Sequence, residues 1–579
     1  MALRSVEGWL SRFGALPMGV GNVVVEPHLE REWAGGGGVR MVVPVGQLPY
    51  LVQRGAPPLL QRILSFAPAR ETAASAILSR RWRPLWRRTS AVNLDITPYL
   101  PAKGQDISLR PSPLEAFFRD AVAALAAFPP RTALKRLTLY LVIDDAGGPY
   151  YGADDFEPQD DGRVAGLLAA HPATAELEHL LIRCAYDSQK YGLPLASMPF
   201  AATLRVLELQ LCNFQPPSPP SMAFPCLKDL RLRGCLFMEG YLQAMLDAAP
   251  VLTSLLLVNA SQKPLAPPDS ADDTPTYRTL PLRLRCLTCT VLNLETFVED
   301  QELEAFGHIG IQLDMPSLRS FRYEGHPVKL SLISPAPGLA RVDLDATYHG
   351  GLSQSRRCEP MPRMLTSFST TRALKLDVTT MEDILDGEKE HGGIILPTFP
   401  NLKLLHLDVF HEHESGVTVL SMARLLRSCP AMSELRVMMW WNYNHEIQRE
   451  NKDPATTPFA QSMDRFEKLA SKPSSRCSIS KVSQLPAVLT DNCALFSCLQ
   501  TSLRKVTLRF NAKEVDCFQV QVAKFLAENA MVLEEMHIDD GSQFWPEHLC
   551  HKLPSWRAES FRKRNLPDTA GFQVHQLNL

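Results

Sequence analysis

The amino-acid sequence predicts an α/β protein in which a small N-terminal group of helices precedes a curved solenoid of alternating strands and helices. Three observations lead to this prediction: a six-residue apolar pattern that recurs along the chain, helical stretches between its copies, and an early segment dense in arginine and tryptophan. At 579 residues the chain exceeds a typical single compact core. Several domains or an extended repeat are therefore expected.

The composition excludes several classes of protein. Hydrophobic residues make up 45% and charged residues 21% of the chain, as in ordinary globular proteins. A net charge of -2 gives no general attraction to nucleic acid or to a membrane surface. No apolar run approaches the ~20 residues that span a bilayer. The thirteen cysteines lack paired spacing, which fits a reducing compartment, and we expect the cytoplasm or the nucleus.

The recurring pattern is a leucine, two residues, an apolar residue, one residue and another leucine. Clear copies are "LKRLTL" from Leu134, "LEHLLI" from Leu177, "LRVLEL" from Leu204, "LKDLRL" from Leu227 and "LTSLLL" from Leu252. Weaker copies begin at Leu318, Leu339, Leu402, Met432, Leu503 and Leu533. From Leu177 to Leu252 the successive spacings are 27, 23 and 25 residues, within the range of leucine-rich repeats.

The pattern has a physical cause. The last two apolar residues alternate, as on a strand with one buried face, and the first leucine enters the core beside them. Stacked units build an apolar spine that no single unit could bury. Cys212 and Cys235 occupy the turn position that follows the last leucine, and so does Asn511. We expect the two cysteines to be small buried groups.

Helical stretches separate the strands. Apolar residues at helical spacing begin at Glu239, Ser421 and Val520, and each stretch leads into another strand. Strand alternating with helix predicts a right-handed α/β solenoid. Insertions from Asp144, Ser261 and Asn442 are polar or rich in proline, and we expect them to be exposed and mobile.

The early segment "ILSRRWRPLWRRT" from Ile77 to Thr89 contains five arginines and two tryptophans. Upstream of it, Leu60, Ile63 and Leu64 share a helical face. Apolar residues then recur at three- and four-residue steps until Pro84 interrupts the helix. This spacing predicts two or three short helices with tryptophans inside and arginines outside. From Arg54 to Arg88, eight arginines and one glutamate give a local charge of about +7, which leaves nucleic-acid binding as an alternative. The helical spacing of the tryptophans predicts that they are buried, and buried tryptophans could not stack on bases.

The segment "ILSFAPARETAASAILSRRWRPLW" resembles the F-box of plant F-box/leucine-rich-repeat proteins, with the family's next strand expected at Leu94 to Ile96. The region from about Cys498 to Trp556 is similar to the FBD domain that closes many of these proteins. The resemblance implies a substrate receptor of an SCF-type ubiquitin ligase. In this family the F-box docks a Skp-type adaptor on a cullin scaffold, and the repeats bind a target protein.

The resemblance also implies which residues bind which partner. The expected adaptor-binding residues are Leu60, Ile63, Leu64, Ile77, Leu78, Trp82 and Trp86. On the repeats, Val206 and Glu208 on one strand and Asp229 and Arg231 on the next should point outward. Glu208 and Arg231 are the expected target-binding residues, because arginine is enriched at interface hot spots.

One departure from the family pattern leaves a second function open. The F-box usually opens with Leu-Pro-Asp-Asp, whereas here Gly55, Ala56, Pro57 and Pro58 precede the paired leucines. An apolar anchor and two acids are missing. The alternative is therefore a non-catalytic interaction scaffold whose degenerate F-box no longer binds the adaptor.

The expected organisation is a poorly ordered N-terminal extension over 1–53, an F-box-like helical domain over 54–96, a repeat solenoid with inserted loops over 97–460, a linker over 461–497 and FBD-like repeats with a tail over 498–579. No phosphate loop, dinucleotide fingerprint or HExxH motif occurs. "CLTC" from Cys286 to Cys289 has no second ligand pair, which favours core packing over zinc. We expect no catalytic residue, metal, cofactor, nucleic-acid partner or membrane partner.

Overall fold

The computed structural model describes residues 22–24, 42–44, 61, 64–74, 85–99, 113–128, 133–141, 163–184, 200–214, 223–263, 283–296, 310–325, 328–346, 361–378, 384, 396–411, 416–441, 496–511, 517–539, 547–567 and 571–576. These residues form two compact units, Met1–Leu252 and Thr253–Leu579. Among them, the helices are all too short or too polar to cross a bilayer.

The first unit contains an antiparallel pair of short strands, a parallel sheet and the helices beside it. The pair is β1 (Asn22–Val24) and β2 (Val42–Pro44). The other strands are β3 (Ala91–Asp95), β4 (Arg136–Leu141), β5 (His179–Cys184), β6 (Val206–Gln210), β7 (Asn213–Phe214), β8 (Asp229–Arg233) and β9 (Leu236–Met238). The helices are α1 (Ala69–Ala74), α2 (Pro113–Ala126), α3 (Arg163–Ala170) and α4 (Tyr241–Asp247), with 3-10 turns at Trp86–Arg88, Thr97–Tyr99 and Pro172–Thr174.

The main sheet of this unit runs in the order β8-β6-β5-β4-β3, and all its pairings are parallel. The strands keep one register throughout, so that Leu207 on β6 is the partner of Leu230 on β8. The short strands β7 and β9 form a separate parallel pair. Parallel neighbours need a crossover connection, which the segments between the strands supply.

The second unit repeats this arrangement. Its strands are β10 (Ser254–Val258), β11 (Ser261–Lys263), β12 (Arg283–Arg285), β13 (Val291–Thr296), β14 (Gly310–Asp314), β15 (Ser320–Gly325), β16 (Lys329–Leu332), β17 (Arg341–Ala346), β18 (Ala373–Val378), β19 (Leu404–His411), β20 (Glu434–Trp441), β21 (Lys505–Asn511), β22 (Glu535–Asp539) and β23 (Gln573–Gln576). Its helices are α5 (Met361–Thr366), α6 (Gly416–Ser428), α7 (Ser497–Thr501), α8 (Cys517–Asn529) and α9 (Glu547–Lys563).

The main sheet of the second unit runs in the order β23-β22-β21-β20-β19-β18-β17-β15-β13-β10, again with parallel pairings. A smaller parallel sheet has the order β12-β14-β16. The FBD-like region supplies β21, β22 and β23 to the main sheet, so that it continues the repeats. The α/β class and the parallel stacking of repeats within each unit are confirmed.

The core lies along the repeated motif. In the copy from Leu204, the residues Leu204, Leu207 and Leu209 are all 0% exposed. The same three positions are no more than 3% exposed in the copies from Leu134, Leu177, Leu227, Leu252, Leu318, Leu339, Leu402, Met432, Leu503 and Leu533. Cys212 and Cys235 are 1% and 0% exposed, as expected for small groups at the turn. The repeat assignment is confirmed.

Three strands, β3, β13 and β18, carry repeats that the leucine pattern missed. On β13 and β18 the motif is present, but its first position holds Cys289 or Thr371 instead of leucine. Both residues are 0% exposed. Each donates a hydrogen bond to the carbonyl oxygen two residues ahead, at 3.3 Å for Cys289 and 3.2 Å for Thr371. Thr89 before β3 makes the same bond to the carbonyl oxygen of Ala91 at 3.2 Å.

The predicted helices from Glu239, Ser421 and Val520 correspond to α4, α6 and α8. The strand expected at Leu94 to Ile96 occupies Ala91–Asp95 and is part of the main sheet of the first unit. The repeated sheet therefore begins inside the predicted segment 54–96. Most of the three predicted insertions lies outside the described residues; the insertion from Ser261 begins with strand β11.

Candidate protein-interaction surface

Each repeat strand has a buried face and an opposite face, which we call the open face. On β8, Leu230 and Leu232 are buried, whereas Asp229, Arg231 and Arg233 alternate with them and are partly exposed. The open face therefore displays one residue per strand at each register position. A partner that lies across several strands would contact a row of such residues.

Glu208 and Arg231, the predicted target-binding residues, are register partners on β6 and β8. A carboxylate oxygen of Glu208 lies 3.7 Å from the guanidinium of Arg231, and the other accepts a hydrogen bond from Arg183 at 3.3 Å. Arg231 also pairs with Asp229 at 2.7 Å. The structure thus brings the two predicted residues together in a network of alternating charges.

The two residues differ in exposure. The side chain of Arg231 is 39% exposed, but that of Glu208 is only 11% exposed because Arg183 and Arg231 flank it. Burial alone would lower the pKa of Arg231, but its hydrogen bonds with Asp229 and the charges of Asp229 and Glu208 raise it overall. Arg231 is therefore the accessible member of the pair, held in place by two carboxylates.

A second feature of the open face was not anticipated from the sequence. Five carboxylates lie on five neighbouring strands of the second unit, each the register partner of the next: Glu295, Glu324, Asp345, Asp377 and Asp408. We call this set the acidic row. Neighbouring strands are about 4.8 Å apart, so the carboxylates repel one another. Each acid directly follows the last apolar residue of its repeat motif. This spacing could have revealed the row if the register between neighbouring strands had been known.

Basic side chains lie beside two members of the acidic row. Arg322 pairs with Glu324 at 2.7 Å, and Lys375 lies 3.5 Å from Asp377. Burial, together with the charges of Asp345 and Asp408, raises the pKa of Asp377 to about 6. Ionisation of Asp377 within the acidic row therefore costs free energy.

The predicted adaptor-binding residues lie at the start of the chain. Leu64 is 1% exposed and belongs to the core. Trp86 opens a 3-10 turn whose next residues, Arg87 and Arg88, are exposed, as predicted for the arginines. The residues Leu60, Ile63, Ile77, Leu78 and Trp82 lie outside the described residues. The role of the set in adaptor binding stays a prediction.

Two side chains of the sheet hold the segment that carries α1. Asn93 on β3 donates to the carbonyl oxygens of Ser65 at 2.9 Å and Ala67 at 3.1 Å. Arg136 on β4 also donates to Ser65, and its guanidinium lies 4.9 Å from the centre of the Phe66 ring. Sequence reasoning missed both residues, since neither occupies a recognisable motif. They attach the F-box-like segment directly to the first two strands of the sheet.

A cavity of about 280 Å³ lies beside this attachment, between α1, β3 and α2. Its walls include Ala73, Val92 and Phe117, and Tyr99 at its rim donates to Asp120 at 3.0 Å. Apolar packing between α1 and α2 is therefore incomplete. The segment is held by the hydrogen bonds of Asn93 and Arg136 and also by packing, since Leu64 and Ala67 are 1% and 2% exposed.

Comparison with known proteins agrees with this architecture. Residues 166–304 match the family model described as FBD-associated F-box protein At5g56370, LRR repeats. F-box/LRR-repeat protein 13 of Arabidopsis thaliana is 24% identical over 66% of this chain and 74% of its own length. The F-box/FBD/LRR-repeat protein At1g80470 of the same plant is 24% identical over 60% of this chain and 65% of its own length.

A rice protein is similar to this chain at the same level of sequence identity. The MEIOTIC F-BOX protein MOF of Oryza sativa subsp. japonica is 25% identical over 72% of this chain and 76% of its own length. The repeats and their parallel sheets define a leucine-rich-repeat protein. The predicted resemblance to the plant F-box/leucine-rich-repeat family, with its FBD variants, is confirmed by these matches.

Proposed function

We propose that this protein is the substrate-recognition subunit of an SCF-type ubiquitin ligase, acting in the cytoplasm or the nucleus. The F-box-like segment would dock a Skp-type adaptor and through it a cullin scaffold, while the repeats bind a target protein. The observation that carries the proposal is the attachment of the α1 segment to the sheet by Asn93 and Arg136. It links a docking element to a recognition surface without a long free connection.

In this role the protein performs no chemistry of its own. A receptor needs one surface for the adaptor and another for the target, held at a fixed separation. For the target surface, we propose the open face of β6 and β8, with Arg231 as its anchor. Arg231 is oriented by Asp229 and Glu208, so less side-chain entropy is lost when a partner binds it.

The adaptor half of the proposal is tested by co-purification with a Skp-type adaptor. The wild type should retain the adaptor, and Ile63→Glu should lose it, because an unpaired charge on an apolar docking surface costs several kcal/mol. Ile333→Glu is the matched control, since Ile333 is 60% exposed in the second unit. It should retain the adaptor like the wild type.

A wild type that fails to bind any Skp-type adaptor supports the alternative function, an interaction scaffold with a degenerate F-box. The observation that favours this alternative is the replacement of the usual opening residues by Gly55 to Pro58. Restoring Leu-Pro-Asp-Asp at these four positions would then distinguish the two. Adaptor binding gained by the restored chain would identify those residues as the cause.

The target half is tested by comparing the partners that co-purify with the wild type and with the double variant Glu208→Ala/Arg231→Ala. We expect specific partners to be lost. The control is Glu559→Ala/Lys563→Ala, which removes an exposed ion pair of 2.7 Å on α9. An unchanged partner set with an intact fold would place the target site elsewhere.

A further inference from the structure

One register row on the open face of the first unit has a charged residue on every second strand. Its members directly follow the last apolar residue of each repeat motif. They are register partners on β3, β4, β5, β6 and β8, in the order Asp95, Tyr140, Arg183, Gln210 and Arg233. We call this set the alternating row, and all five members are partly exposed. The row presents one negative and two positive charges, with neutral hydrogen-bonding side chains between them.

The same position of the motif is occupied differently in the second unit. There it holds the acidic row, from Glu295 to Asp408. The strands of both units bury the same apolar positions, so packing of the buried face leaves the charge at this position open. The alternation of charged and neutral residues in the first unit is therefore a property of the surface and not of the core.

The charged members have capacity for a further partner. One terminal nitrogen of Arg183 donates to Glu208 at 3.3 Å, and within the described residues its side chain has no other hydrogen bond or ion pair. The side chain is 27% exposed, and a guanidinium has five N–H donors. Arg183 can therefore bind a second carboxylate while it keeps Glu208. Asp95 accepts from the N–H of Thr97 through Oδ1 at 2.8 Å, which leaves Oδ2 for a cation.

The spacing of the charges selects the shape of a ligand that crosses the strands. Neighbouring strands are about 4.8 Å apart, so successive charged members of the row are about 9.6 Å apart. A polyproline II segment directs every third side chain to the same side, at a repeat of about 9.3 Å. An extended strand repeats at about 6.8 Å, and two turns of an α-helix span about 10.8 Å. Of these three shapes, polyproline II matches the row best.

We propose that the alternating row binds a polyproline II segment of the target protein with the pattern basic-x-x-acidic-x-x-acidic. The segment lies across the strands, with its basic residue on Asp95 and its two acidic residues on Arg183 and Arg233. Gln210 donates to a backbone carbonyl oxygen, which has no internal partner in this conformation. The ring of Tyr140 packs on a proline, as aromatic side chains do in other sites for such segments. The inference rests on the proposed receptor role and specifies the chemistry of the target.

Two peptides of identical composition test the spacing on the purified full-length protein. In acetyl-Lys-Pro-Pro-Glu-Pro-Pro-Glu-Pro-Pro-amide the charges are three residues apart. In acetyl-Lys-Pro-Pro-Pro-Glu-Pro-Pro-Pro-Glu-amide they are four apart, so they point to different sides of the helix. Fluorescence anisotropy of labelled peptides at low salt measures the affinities. We expect the first peptide to bind at least about fivefold more tightly, since only it brings all three charges onto the row.

Variants of the protein test which residues bind the first peptide. Arg183→Gln should weaken its binding at least about threefold. The control Arg341→Gln removes the same charge from an exposed ion pair on β17 and should leave binding unchanged. Arg233→Glu should also weaken binding, and a peptide whose second glutamate is replaced by lysine should restore it, because the charges are then exchanged between the partners. Circular dichroism verifies that each variant is folded.

The proposal is overturned if the two peptides bind the wild type equally, which would indicate general attraction between charges, or if neither peptide binds. It is also overturned if Arg183→Gln and Arg341→Gln bind the first peptide alike, or if the exchanged peptide does not recover affinity for Arg233→Glu. These measurements use neither an adaptor nor a cellular partner, so their failure leaves the receptor role intact. Failure of the receptor role would instead appear as an unchanged partner set in Glu208→Ala/Arg231→Ala.

Discussion

The guanidinium of Arg557 on α9 donates a hydrogen bond of 2.8 Å to the carbonyl oxygen of Ala530, just beyond the end of α8. The same nitrogen donates to Ala527 at 2.7 Å, and the other terminal nitrogen donates to Met531 at 3.2 Å. Arg557 is 1% exposed and lies 4.3 Å from the ring centre of Phe561. A buried cation thus satisfies carbonyl groups that the end of a helix leaves unpaired.

Replacing Arg557 should therefore destabilise the C-terminal repeats. Arg557→Met keeps much of the side-chain volume but leaves buried carbonyl oxygens unsatisfied, and we expect a loss of about 2–4 kcal/mol. Urea denaturation followed by circular dichroism measures it. Arg562→Met on the exposed side of the same helix should change stability by less than about 0.5 kcal/mol. Equal effects of the two variants would show that Arg557 is not a capping group.

Leu230 is 0% exposed at the centre of β8, where it is the register partner of Leu207. Leu230→Ala should cost about 2–5 kcal/mol, because it removes buried apolar atoms and leaves a cavity. In a repeat protein the damage falls mainly on neighbouring units. Hydrogen-exchange mass spectrometry should show faster exchange on β6 and β8 than on β4. The partly exposed Val251, changed to alanine, is the control and should leave all three strands unchanged.

The acidic row makes stability depend on pH through Asp377. Its folded-state pKa of about 6 exceeds the value of 3.8 for a free carboxyl, so the unfolded chain ionises first as pH rises. Stability contributed by the protonated carboxyl is present below about pH 4 and is lost as pH rises through 6. Asp377→Asn cannot ionise, and at pH 7 it should be more stable than the wild type by about 1–3 kcal/mol. This advantage should vanish near pH 4.

The matched control for that variant is Asp343→Asn on the neighbouring strand β17. Asp343 pairs with Arg341 at 2.7 Å, so its replacement removes a favourable contact and should give no gain at pH 7. Denaturation curves at pH 4, 5, 6 and 7 measure both variants. A stability difference for Asp377→Asn that does not change with pH would contradict the proposed cost of ionisation.

Thr371 occupies a position where most repeats have leucine. Thr371→Val keeps the shape but removes the hydrogen bond to Ala373, and we expect a loss of about 0.5–1.5 kcal/mol. Thr371→Leu restores the repeat consensus but places a larger side chain at a site that is 0% exposed. The site adjoins Phe368, whose carbonyl oxygen accepts from the Thr371 N–H and whose ring stacks on Phe321 at 5.0 Å. We expect it to cost about 1–3 kcal/mol through overpacking. Thermal unfolding of both variants tests this; a stabilised Thr371→Leu would show that the site has unused room.

Much of the repeat structure was predictable because leucine burial leaves a periodic signature. The strands in the copies from Leu204 and Leu227 could be predicted from the leucine pattern and its spacing alone. The repeats at Cys289 and Thr371 were missed because a small polar residue can replace leucine when its hydrogen joins the backbone two residues ahead. That bond depends on local backbone conformation, which residue spacing alone does not reveal.

The surface was less predictable than the core. Glu208 and Arg231 could be placed on one face by alternation, yet the burial of Glu208 results from Arg183 on a third strand. The acidic row depends on the register of strands such as β15 and β17, whose alignment is a property of the sheet. Asn93 and Arg136 act on a segment distant in sequence. Contacts of this kind can be recognised only when the three-dimensional positions of the residues are known.

Because the strands keep a uniform register, the length of the connection between two strands does not determine which side chains lie side by side on the surface. β20 and β21 pair residue for residue from Glu434 with Lys505 to Trp440 with Asn511, although the long segment 442–495 intervenes. Hydrogen bonding between neighbouring strands, and not the distance along the chain, determines which side chains stand side by side. A connection of a different length would therefore leave the rows of side chains on the open face unchanged. Connections of different length are compatible with one register of the sheet, whereas a shift of one residue within a strand would exchange its buried and open faces.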